Sequence, residues 1–184
     1  MISVGDGQTR ILAQITTVTP PEWLPVGRAL ERVLAGDLRA PFDVPPTDNS
    51  AVDGYAVLSS DLPAEGRRSL AVIADLPAGS VFDRPVRSGQ TVRIMTGAPM
   101  PPGLDTVVPQ EDVERAGSEA RIPPIAKGTN VRLRGEDVRA GDIVLQAGSL
   151  LRPQEMGLIT SLGFPQVAVR RKPRVAILST GDEV

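Results

Sequence analysis

The stretch Pro45-Pro46-Thr47-Asp48-Asn49-Ser50-Ala51-Val52-Asp53-Gly54-Tyr55-Ala56-Val57 decides how this chain is read. Two prolines stiffen the approach, and Asp53-Gly54 makes a turn that leads into a strand. Two carboxylates, an amide and two hydroxyls crowd the same few residues. Turn chemistry alone accounts for such a composition as a polar loop between two elements. The other reading is a rigid, oxygen-rich corner that holds carboxylates toward a cationic or phosphorylated ligand. Two later stretches bear on the choice: Arg93-Ile94-Met95-Thr96-Gly97-Ala98-Pro99, and the last run, Leu178-Ser179-Thr180-Gly181-Asp182-Glu183-Val184.

Outward from that corner, short apolar or alternating runs recur between prolines and glycines at 54–58, 69–75, 91–95, 105–110, 119–122 and 130–133. Their spacing predicts a small antiparallel β-barrel or sandwich beginning near residue 41. Gly141 to Gly148 reads as a strand bounded by turns. Pro153 then opens a helix with Met156, Ile159 and Leu162 inward and Gly163 at its C-terminal end, and a strand follows over 165–170. Toward the N-terminus, Ser3-Val4-Gly5-Asp6 resembles a capping box for a helix whose apolar residues are Val4, Ile11, Leu12 and Ile15, ended by Thr19-Pro20-Pro21. Gly5 and Gly7 each weaken that helix by roughly 1 kcal/mol relative to alanine. A second helix is expected from Pro25 or Val26, with Val26, Ala29, Leu30, Val33 and Leu34 as its stripe and Gly36 as its cap. Pro173 to Leu178 is a continuous apolar run leading to a polar, glycine-containing loop, the texture of a buried parallel strand that opens a β–α unit. Ligands sit at the carboxyl ends of such strands, and a following helix N-terminus favours anions.

Composition narrows the chemistry. The chain has 184 residues, 20 basic and 22 acidic, for a net charge of −2, so no bulk field favours nucleic acid or an anionic membrane. It has no cysteine, which excludes disulfides and thiol catalysis and fits a reducing compartment, with cytoplasm the default. It has no histidine, so a metal would be held by oxygen, which points to magnesium-like chemistry completed by phosphate or water. No run approaches a membrane span, and no secretory signal opens the sequence. Eighteen glycines and eighteen prolines with 3% aromatics leave Val, Ile and Leu to fill the core.

Five blocks together resemble the molybdopterin molybdenumtransferase (MoeA, gephyrin E-domain) family. They are PPTDNSAVDGYAV at 45–57, VRIMTGAPMPPGLDTVVPQEDV at 92–113, NVRLRGEDVRAGDIVLQAG at 130–148, RPQEMGLITSLGF at 152–164 and RKPRVAILSTGDEV at 171–184. The resemblance implies an α+β, multi-domain chain. Domain I, mixed α/β, would be split over 1–40 and 140–172 around an inserted β-rich, barrel-like domain II at 41–139. Residues 173–184 would be the first strand of a truncated α/β domain III that carries most of the pterin site. It implies a transferase of molybdenum cofactor biosynthesis that inserts molybdate into adenylylated molybdopterin with magnesium and releases AMP. This portion alone is expected to be inactive. Homodimers are implied, and a molybdopterin-adenylyltransferase-type protein is a partner to expect; nucleic acid and membrane are not.

Carried onto this chain, the family's motifs make Asp53, Thr96, Asp137 and Glu183 catalytic. Asp53, Asp137 and Glu183 would be hard ligands for magnesium, and Ser179, Thr180, Gly181 and Asp182 would bind the cofactor. Thr96 would donate to an oxyanion or a metal-bound water. Each residue also has a plainer reading: Asp53 as the cap of a turn with Gly54, Thr96 as an N-cap, Asp137 as a solvated turn carboxylate, Glu183 as an acidic first turn. Arg152 stands where a capping threonine is frequent, which leaves the helix after it without a good N-cap. Two rival readings remain: a non-catalytic dimerisation or binding module that keeps domains I and II, and an unrelated β-rich interaction domain.

Overall fold

The structure is a computed structural model and describes residues 2–15 and 18–178. The elements run α1 (Val4–Ala13), β1 (Pro21–Pro25), β2 (Leu38–Arg39), β3 (Asn49–Ser50), β4 (Gly54–Val57) and β5 (Arg68–Leu76). They continue with β6 (Gln90–Ile94), β7 (Thr106–Pro109), β8 (Glu114–Ala116), β9 (Glu119–Ile122) and β10 (Val131–Arg132). Last come β11 (Ile143–Leu145), α2 (Pro153–Ser161) and β12 (Gln166–Arg170). These divide into two units. Residues through Ala40 and from Ile143 onward make one, and Pro41–Asp142 make the other.

In the discontinuous unit, β1 and β12 pair antiparallel along their full length, from Pro21 opposite Arg170 to Pro25 opposite Gln166. β2 pairs antiparallel with β11. Ala29, Leu34, Leu151, Ile159, Val167 and Val169 form its core. α2 matches its sequence pattern: Pro153 starts it, Ile159 and Leu162 are buried, and Gly163 follows at φ +75°. Arg152 does lack an acceptor for the first-turn amides, but Glu155 reaches back to accept from the Arg152 main-chain N–H at 2.9 Å and from its guanidinium at 2.8 Å. That half of a capping box takes over part of the missing cap.

Three expectations are corrected here. α1 is capped as expected, with Ser3 Oγ accepting from the Asp6 N–H at 3.1 Å, but it stops at Ala13 and buries no residue. The second helix does not form: only a single 3₁₀ turn, Val26–Arg28, is present. Glu31 sits at φ +60°, which ends any right-handed helix, and Leu34 N–H and Ala35 N–H donate to Ser149 O and Ala168 O, both at 2.9 Å. Ala29 and Leu34 of that stripe reach the core from a segment that borrows its partners from distant chain, while Leu30 and Val33 stay exposed. Finally, Pro173–Leu178 is not a strand. No described strand pairs with it, and Val175, Ile177 and Leu178 are exposed.

In the inserted unit, six strands lie in the order β7-β4-β6-β5-β9-β8. The sheet is mixed rather than antiparallel throughout, because β5 and β6 run parallel. The connection over 77–89 has the length a parallel crossover needs. Asp61, 2% exposed, fastens its end: its carboxylate accepts from Ser88 Oγ at 2.6 Å and the Gly89 N–H at 2.8 Å, and pairs with Arg68 at 3.1 Å. β4 is buried at all four positions. Its side chains alternate between two cores, Ala56 with Val92, Ile94 and Val107 on one face, Tyr55 and Val57 with Leu70, Val108 and Ile122 on the other. No helix among the described residues is long and apolar enough to cross a membrane.

Candidate active site

β4 lies between β6 and β7 and runs antiparallel to both, so its first residue, Gly54, pairs with Ile94 and with Pro109. Asp53 thus stands where the start of one strand meets the ends of two. From the β6 side, Thr96 donates twice to Asp53 Oδ1, through its hydroxyl at 2.7 Å and its main-chain N–H at 2.8 Å. From the β7 side, the Gln110 N–H donates to the Asp53 carbonyl at 3.0 Å. The two loops are laced further: Gly97 N–H donates to Ser50 O at 2.8 Å and Ser50 N–H to Ala98 O at 3.1 Å. The Thr96 hydroxyl, then its N–H, and after them the Arg93 charge hold the Asp53 carboxyl below the usual aspartate range. The result is an ionised carboxylate with Oδ1 committed to Thr96 and Oδ2 without a described partner.

Sequence reasoning paired Asp53 and Thr96 as members of one site, and the structure brings them into direct contact. In this structure the Thr96 hydroxyl donates to Asp53. Asp137 is placed differently. Its exposed carboxylate pairs with Arg132, which also holds Glu136 Oε1 at 2.7 Å. Arg132 in turn, with the Leu133 N–H, keeps the Glu136 carboxyl below its usual range. Asp53 and Asp137 share no hydrogen-bond partner among the described residues. Ser179, Thr180, Gly181, Asp182 and Glu183 lie outside the described residues.

No group of three Asp, Glu, His or Cys side chains converges among the described residues. Of the three carboxylates expected to hold magnesium, Asp53 accepts from Thr96, Asp137 is paired to Arg132, and Glu183 lies outside the described residues. Arg93 and Gln110 were both inside quoted motifs without a role; only the three-dimensional contacts single them out. A separate cleft of about 630 Å³ in the inserted unit is lined by Pro46, Thr47, Asp48, Phe82, Met100 and Arg134.

A sheet-rich unit inserted into an α+β unit built from both flanks of the chain, with a fixed carboxylate at the strand ends, is the class this fold defines. The family model described as the MoeA N-terminal region, domains I and II, matches residues 2–163, and the chain belongs to that family. A molybdopterin molybdenumtransferase of Haemophilus influenzae is 39% identical over 186 residues, which cover 100% of this chain and 46% of that protein. Molybdopterin molybdenumtransferase 2 of Mycobacterium tuberculosis is 37% identical, with 100% and 46% covered. The crystal structure of a molybdopterin biosynthesis moeA protein from Pyrococcus horikoshii superposes with a TM-score of 0.88 at 36% identity, covering 94% of this chain and 47% of that one. The chain spans under half the length of these relatives.

Proposed function

We propose that this chain serves molybdenum cofactor biosynthesis, supplying part of a transferase site that inserts molybdate into adenylylated molybdopterin with release of AMP. The observation that carries the reading is the Asp53–Thr96 pair at the meeting of three strand ends, in a chain whose relatives are named molybdopterin molybdenumtransferases. The transfer builds negative charge on oxygens and needs its reacting groups held in line. Asp53, ionised and fixed through Oδ1, orients a donor such as a water or a substrate hydroxyl through Oδ2. Thr96 fixes the carboxylate. Asp137, Glu183 and the loop Ser179–Asp182 are proposed to complete the site, and magnesium to draw its ligands with their help. The domain division of the family, 1–40 with 140–172 around 41–139 and a further domain from 173, belongs to the same proposal, as does a cytoplasmic setting.

The test is AMP release from adenylylated molybdopterin and molybdate by a complete protein carrying this segment. Asp53→Asn is expected to lose most of the rate, and the 184-residue chain alone to show none. A normal rate in Asp53→Asn overturns the assignment.

One observation favours self-association alongside catalysis. α1 exposes Val4, Ile11 and Leu12 and buries nothing, and Trp23 and Leu30 are also exposed. A two-fold dimer is the commonest way such surface is covered. Light scattering is expected to show a species above the 19.4 kDa of one chain.

A further inference from the structure

Arg93 lies on β6 directly opposite Tyr55 of β4, one strand away from β7. Its guanidinium spans that gap. Nη2 donates to Gln110 Oε1 at 3.1 Å, and Nη1 lies 3.5 Å from Asp75 Oδ1 on the neighbouring β5. Asp75 is itself 3.8 Å from Arg115 Nη1, so the anchor is held from a third direction. Gln110 is the residue whose main-chain N–H holds the Asp53 carbonyl. Asp53 is thereby gripped twice, its carboxylate by Thr96 after β6 and its backbone by Gln110 after β7.

We propose that Arg93, acting through Gln110, is a positioning residue for Asp53: it ties the two strand ends together across β4 so that the carboxylate is presented with its Oδ2 edge open. The inference rests on the reading of Asp53 as a site residue and deepens it. Arg93 has its two terminal nitrogens engaged, one with Gln110 and one with Asp75, so it acts on the site from behind. A lysine at 93 keeps a positive charge but lacks the planar fork that reaches Asp75 and Gln110 together. The charge and the bridge are therefore separable by mutation.

Two readouts test the proposal. In the 184-residue chain, Arg93→Met is expected to speed hydrogen exchange of the Gln110 N–H by about tenfold, the scale of one lost charge-assisted bond. The Ile94 and Val108 amides inside the sheet should stay as protected as before. The Asp53 carboxyl resonance should titrate higher in Arg93→Met and near wild type in Arg93→Lys, while Gln110 exchange is fast in both. Gln110→Ala removes the link without touching a strand and should leave the Thr96 amide less protected. In a complete protein, Arg93→Met and Arg93→Lys should lower kcat with KM little changed. Unchanged Gln110 exchange in Arg93→Met overturns the proposal, and so does loss of protection across the whole sheet, which would make Arg93 a general sheet residue. If Asp53→Asn keeps its full rate while Gln110 responds as expected, the strut stands and the functional reading falls.

Discussion

Gly54 has an ordinary backbone conformation, yet it has no room for a side chain. A Cβ there would lie 2.2 Å from Val108 O and 2.9 Å from Val107 Cγ1. Gly54 is required by the close approach of β4 to β7. Gly54→Ala is therefore expected to destabilise the fold by about 2–3 kcal/mol, at the upper end of overpacking costs, and Asp53→Ala, which loses only the bonds from Thr96, to lower the urea midpoint by less. Equal midpoints for the two variants would contradict the close-approach reading. Asp53 makes a second prediction through pH. Its carboxyl titrates below the usual value because the Thr96 hydroxyl, the Thr96 N–H and Arg93 favour the charged form. A lowered folded value stabilises the native state above the unfolded value, near about 3.9, and that contribution disappears as pH falls through the folded value. Thr96→Val should raise the Asp53 titration toward the ordinary range. Its stability deficit against wild type should be present at neutral pH and shrink in acid. A deficit that does not change with pH would place the effect in packing. The carboxylate and the threonine were both visible in the sequence, but their contact, between residues 43 apart, was not. Local propensity says nothing about which distant loop meets a turn.

At the scale of elements, the strands were readable where apolar residues alternate between turn residues. The runs at 54–58, 69–75, 91–95 and 119–122 fall on β4, β5, β6 and β9. α2 was readable from Pro153 and Gly163. The segment 26–34 was not, because the same apolar residues satisfy a helical stripe and an extended segment paired with 149–151 and 168–170. The direction of β5 relative to β6 was hidden because a short run of this composition pairs either way, and here a crossover replaces a hairpin. Asp61 holds that crossover. Removing its carboxylate strips the Ser88 hydroxyl and the Gly89 N–H of a buried charged acceptor. Asp61→Ala is expected to cost about 2–4 kcal/mol, the range for lost hydrogen bonds to a charge with partners left unmet. Hydrogen exchange should accelerate first at Gly89 and at the start of β6. Wild-type stability in Asp61→Ala would mean that the crossover needs no clamp.

At the scale of the whole molecule, the two units keep separate cores. The cluster around Ala29, Leu34, Leu151, Ile159, Val167 and Val169 draws only on the outer segments. The clusters around Ala56, Val92 and Ile94 and around Tyr55, Leu70 and Ile122 draw only on the insert. The ends of the insert are also tied to each other within it. Val44 bridges Val138, Gly135 N–H donates to Pro45 O at 2.9 Å, and Ala140 N–H donates to Asp43 Oδ1 at 2.8 Å. The Ala140 N–H, followed by Arg134, holds the Asp43 carboxyl below its usual range, so this clasp is made with the charged form. A segment with its own core and joined ends needs no help from the flanks to close its chain. Residues 41–142 expressed alone are therefore expected to fold, with a cooperative urea transition and slow exchange in β4 and β6. Asp43→Ala should weaken that isolated unit, since it opens the clasp where the flanking chain no longer holds the ends together. The same substitution in the 184-residue chain should cost less, because there the outer unit also restrains residues 40 and 143. A non-cooperative transition in the excised unit would show that the sheet depends on the outer segments, and the two cores would then have to be treated as one.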